Sequence, residues 1–136
     1  MKRSEEKRVE WFLRIALSAG FPSAVADRFG WWPANVSAWG NWSAFVGYTQ
    51  SLLPWLPANL AEVAGGIATF LEIALGVGLL MPYKTSLIAK CSGVLLVLFA
   101  LAMTMSKSLK APLDYSVLTA AAAAFALSVI IAHKAQ

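Results

Sequence analysis

Charge is scarce in this chain. Of 136 residues, 13% are Asp, Glu, Lys or Arg, roughly half the share usual in soluble domains. Between Arg28 and Glu62 there is none. With 59% apolar residues and a mean hydropathy of +0.65, the deficit points to a chain solvated by lipid. Cysteine is scarcer still. Cys91 stands alone, which excludes an internal disulfide and a CxxC redox pair; in an apolar helix it is expected to pack. The single histidine, His133, excludes haem held by two histidines of this chain and a histidine–carboxylate metal cluster. The expectation is a protein with no metal and no cofactor of its own. The net charge of +4 does not form a nucleic-acid footprint. The bases sit at the ends of apolar segments, where bilayer anchors belong.

Apolar residues are what the chain does have. A bilayer core needs about 20 of them per helix, and four segments qualify: Val9 to Arg28, Leu60 to Met81, Thr85 to Met105 and Tyr115 to His133. Pro82 ends the second, Pro112 precedes the fourth, and Asp114 is placed to cap it. The expected fold is all-α: one domain over residues 1–136, an integral membrane four-helix bundle preceded by a cytoplasmic segment, 1–8. Eight bases fall on the side of both termini (Lys2, Arg3, Lys7, Arg8, Arg14, Lys84, Lys90, Lys134) and three on the other (Arg28, Lys107, Lys110). The excess puts both termini in the cytoplasm. Ala24-Val25-Ala26 also fits a signal-peptidase site, but Glu5, Glu6, Glu10 and Arg14 disrupt the leader it would need.

Between the first two segments lies a stretch rich in tryptophan, with Trp31, Trp32, Trp39, Trp42 and Trp55. Tryptophan favours the membrane–water boundary. The stretch is expected to form an interfacial belt and lid, with a short helix within Ser43–Pro57 lying at the boundary. A pocket for an apolar ligand under the lid is the sharper reading.

The few charges inside the segments are costly there and face the bundle or a wet cavity. They fall into two layers. Arg14, Glu72 and Lys90 form the cytoplasmic-side layer. Lys90 lies about 9 Å past Lys84 and Glu72 about 13 Å before Met81, so Glu72 is expected to pair with Lys90, Arg14 or both. Ala64, Ala68, Glu72 and Gly76 recur every four residues and share a face that admits a neighbouring helix closely. The outer layer holds Asp27, Arg28, Glu62, Lys107, Lys110 and Asp114. Arg28 with Asp114 or Glu62, and Asp27 with Lys110, would make a clasp beneath the tryptophans. Either these are neutralising pairs that fix helix register, or one layer lines a site for a polar-headed, apolar-tailed molecule such as a quinone, or relays protons.

Three stretches carry a family resemblance: "RIALSAGFPSAVADRFG", "FLEIALGVGLLMPYKT", and "GVLLVLFALAM" followed by "KAPLDYSVLTAAAAAFAL". Together they resemble the DoxX family of bacterial inner-membrane proteins, from about Arg14 to Leu127. The resemblance implies a compact four-helix bundle in the bacterial inner membrane, linked to quinol oxidation or thiosulfate:quinone chemistry. Its polar positions match Arg14, Asp27, Arg28 and Glu72. The function expected on this basis is a small accessory subunit or scaffold of a membrane redox complex. The alternatives are a quinone-binding oxidoreductase subunit and a small-solute permease, the latter requiring an oligomer. The expected partners are the lipid bilayer and subunits of a redox complex, with no nucleic acid.

Overall fold

The computed structural model describes residues 2–134. Its helices are α1 (Lys2–Arg28), α2 (Trp42–Leu52), α3 (Ala58–Gly78), α4 (Thr85–Ser106), α5 (Lys110–Asp114) and α6 (Val117–Lys134). Their ends follow local chemistry. Asn41 caps α2 by accepting the Ala44 amide at 2.8 Å. Leu52 ends α2 just short of Pro54, and Pro57 holds the N-cap position of α3. Lys84, with φ +48°, turns the chain into α4. α3, α4 and α6 begin and end within three residues of the expected segments. α1 starts earlier than the expected span, because the charged segment before Val9 continues the helix.

The long helices pack in a ring. α1 lies on α3 and α6, and α4 on α3 and α6, while α2 leans on α1, α3 and α4 at one end. Glycine sets two of the close approaches. At Gly93 of α4 a Cβ would stand 2.8 Å from the Phe125 ring of α6, so the α4–α6 seam depends on its absence. Ala121 and Ala124 are buried in α6, and Ser86 Oγ donates to the Ser128 carbonyl at 2.9 Å. At Gly76 of α3 a Cβ would sit 3.4 Å from both Phe21 and Pro22 of α1. Leu17, Phe21, Leu79, Ala89, Leu95, Ala124 and Leu127 form the core.

α3, α4 and α6 are each long and apolar enough to cross a membrane. Their outward faces carry exposed Ile67, Phe70, Leu87, Val94, Leu98 and Val129, which suits contact with lipid tails and points to a membrane protein. α1 is longer, with 27 residues, but its first turns are charged.

Two expectations need correction. Asp114 does not cap the fourth long helix. It closes α5, where its carboxylate meets Lys110 Nζ at 2.5 Å one turn back. The tryptophan-rich stretch does contain a helix, α2, but that helix turns Phe45 and Thr49 into the bundle instead of only resting on its surface. Phe45 is 5% exposed; burying an aromatic ring outweighs leaving it at the boundary.

The loop before α2 pivots on Gly30 and Gly40, with φ +74° and +83°. A Cβ on Gly30 would stand 2.8 Å from the Gly40 carbonyl oxygen. Gly30→Ala is therefore expected to lower stability by more than the ~1–2 kcal/mol that the left-handed backbone alone costs an L-residue. Thermal unfolding in detergent checks this, and an unchanged transition would contradict the loop geometry.

Candidate functional site

Side chains on a helix lean toward its N-terminus. α1 and α3 are antiparallel: Arg14 of α1 donates to the Leu79 and Met81 carbonyls at 3.3 and 3.4 Å, while Arg28 reaches Thr69. Arg28, the last residue of α1, thus leans back into the bundle. Glu72 leans the other way, toward the start of α3. They meet, with Arg28 Nη1 2.5 Å from Glu72 Oε2 and both side chains 4% exposed. Nη1 also donates to Thr69 Oγ1 at 2.7 Å, and the Thr69 hydroxyl in turn donates to the Gly65 carbonyl. The guanidinium carbon stands 3.9 Å over the Phe45 ring and 5.5 Å from that of Trp39, close enough for cation–π attraction. Arg28 Nε and Glu72 Oε2 lack hydrogen-bond partners among the described residues, so the pair is held by charge more than by aligned hydrogen bonds.

This pair borders a cavity of about 600 Å³, within the range of small-molecule sites. α1 contributes Leu17, Gly20, Phe21 and Ala24 to its wall; α3 contributes Ala64, Gly65 and Ala68; α4 contributes Leu96, Phe99 and Met103; α6 contributes Val117 and Ala120. α2 and the preceding loop roof it with Trp39, Phe45, Tyr48 and Thr49. Arg28 and Glu72 are the charged groups of the lining. Burial pushes the Tyr48 hydroxyl above its usual pKa, with Tyr115 adding to the shift, so Tyr48 remains a neutral phenol at cellular pH.

The other candidates stand elsewhere. Asp27 has no basic partner among the described residues. Its carboxylate accepts the Ser37 hydroxyl and the amides of Ala38, Trp39 and Gly40, at 2.7, 3.4 and 3.2 Å for the amides. It organises the loop, and the expected Asp27–Lys110 contact is absent because Lys110 turns to Asp114. Neither Lys90 nor Arg14 pairs with Glu72. Lys90 is exposed on α4 beside an exposed Cys91, so that cysteine is not packed. Arg14 is buried against Glu10, with Nη2 2.8 Å from Oε1, and Lys134 Nζ reaches the other oxygen of Glu10 at 2.5 Å. Both ends of the described chain are thereby tied to the same end of the bundle. Glu62 accepts the Trp42 indole N–H at 3.3 Å near the surface.

Arg28 and Glu72 thus come together, while Arg14, Asp27, Glu62, Lys90 and Asp114 disperse to separate tasks. Sequence reasoning missed Glu10, whose four-residue spacing to Arg14 was a visible signal. It also missed Thr69, Phe45 and Tyr48, for which no motif exists. Among the described residues no group of three or more His, Cys, Asp or Glu side chains is placed to hold a metal ion. Compared with protein-family models, with curated proteins and with solved structures, the chain gives no significant match.

Proposed function

We propose that the chain is a DoxX-like integral membrane protein that holds a polar-headed, apolar-tailed molecule of the quinone kind and serves as a small accessory subunit of a bacterial inner-membrane redox complex. In this reading α1 is the fourth crossing helix and both termini face the cytoplasm. The observation that carries it is the apolar cavity of about 600 Å³ with one buried ion pair, Arg28–Glu72, at its wall. An apolar pocket with a few placed polar groups is the usual form of a small-molecule site. The Glu10–Lys134 contact, which joins the start of α1 to the end of α6, supports an even number of crossings.

A catalytic version has a redox subunit of the complex supply the two electrons that reduce a bound quinone, while Glu72 passes it the accompanying protons. Its support is the position of Glu72 in the cavity lining. Asp27, which is absent from that lining and occupied by four loop donors, is not the proton carrier in this version.

The experiment is purification from native membranes in mild detergent, with mass spectrometry of proteins and extracted quinones together. The accessory reading expects a stoichiometric redox partner and retained quinone. Protein that is free of both, yet fully supports respiration in cells, would overturn it.

A further inference from the structure

The lining of the cavity is exposed along one edge. Ala16 and Gly20 of α1, Ala38 of the loop, and Tyr115 and Ser116 just before α6 line the cavity and are also exposed. Lining residues from α2, α3 and α4 are buried or half-buried. The cavity therefore opens sideways, between α1 and the start of α6. At their other ends these two helices are joined by Glu10 and Lys134. They are clasped at one end and leave a window toward the other, bordered by Gly20 and Ala24 on α1 and Val117 and Ala120 on α6. Beyond the adjoining residues and the local backbone of α1, no heavy atom lies within 4 Å of where a Cβ on Gly20 would stand. α6 is one of the helices apolar enough to cross a bilayer; with α1 as the fourth crossing helix of the reading above, the window would face lipid tails.

The charge of the cavity narrows what passes. Arg28 and Glu72 neutralise each other at 2.5 Å, and the Asp27 carboxylate is spent on the loop. An anionic head group would compete with Glu72 for Arg28, and a cationic one with Arg28 for Glu72. Either would strand a buried charge, which is costly. A neutral head group leaves the pair intact.

Resting on the ligand reading above, we propose that the ligand is a net-neutral amphiphile that enters from the bilayer through the α1–α6 window, with its head beside Arg28, Glu72 and Tyr48 and its tail leading out past Gly20. A fatty-acid anion or an anionic phospholipid is thereby excluded.

The test uses the full chain in phosphatidylcholine nanodiscs, with decylbenzoquinone as probe and tryptophan quenching as readout, since Trp39 lines the cavity. Gly20→Leu fills the window. Leucine replaces a poor helix former in open space, so folding is retained. Ala19→Leu, at an exposed position outside the lining, adds the same bulk elsewhere on α1. The expected result is saturable binding to the wild type and to Ala19→Leu, with at least tenfold weaker binding to Gly20→Leu. Decan-1-ol should displace the probe, and decanoate at pH 8 should need at least tenfold more. Equal binding by Gly20→Leu would overturn the window, and equal competition by decanoate would overturn the neutral head. Disulfide-linked dimers through Gly20→Cys, in a Cys91→Ser background, would put a second copy on the window and overturn ligand entry there. Absence of saturable binding to the wild type would instead remove the ligand reading itself.

Discussion

Glu72→Leu alone is expected to destabilise the protein by about 3–5 kcal/mol, the usual consequence of leaving a buried charge without its partner. Arg28 is the group left behind. It is 3% exposed, its remaining hydrogen bond is to Thr69, and the Phe45 ring offers only a weaker attraction. Adding Arg28→Met should return the melting temperature to the wild-type level or above it, because an apolar pair of similar volume carries no desolvation penalty. If the chain holds a quinone as proposed, the double variant should nonetheless lose it. Thermal unfolding of the three proteins, with quinone extraction in parallel, reads both effects. If the single variant melts with the wild type, the pair is not the buried contact described. If the double variant keeps its quinone, the pair has no part in binding.

Asp27→Ala is expected to free the loop between α1 and α2. The carboxylate serves the Ser37 hydroxyl and three consecutive amides. Hydrogen bonds to a charged group contribute about 1.5–3 kcal/mol each, and bonds sharing one carboxylate do not add, so a total loss near 3 kcal/mol is expected. Asp27→Asn should recover little of it. An amide offers one acceptor oxygen, and its NH₂ would face donors that need acceptors. Limited proteolysis within residues 29–41, compared with the melting temperature, checks the prediction. Wild-type resistance to protease in Asp27→Ala would refute the loop-holding role.

α3, α4 and α6 are legible in the sequence because each is an apolar run stopped by proline or a charged turn, and bilayer length sets a narrow range for such runs. The pairing of charges is not legible in the same way. Glu72, Arg14 and Lys90 lie at similar depths when depth is counted along the backbone. Side chains, however, carry charge several ångströms from the Cα, and antiparallel helices lean them in opposite directions. Arg28 at the rim therefore meets a glutamate deeper in the bundle. Asp27 was misassigned for a different reason. Its partners are backbone amides, which every residue offers and which leave no trace in residue identity. Only Gly30 and Gly40, bracketing the loop, hinted that the backbone there must fold sharply. Glu10 falls just inside the first expected span yet belongs to neither expected charge layer, and its link to Lys134 spans nearly the whole chain.

The way Asp27 holds the loop also bears on how the protein responds to ionic strength. A rim built from exposed ion pairs would loosen as salt screens them, and the one such pair at that rim among the described residues, Lys110–Asp114, has side chains 78% and 53% exposed. The loop over the cavity relies on none of this. A carboxylate seated among backbone dipoles at hydrogen-bond distance leaves no room for counterions between them. The roof should stay closed from dilute buffer to molar salt, while the surface charge around it is screened away.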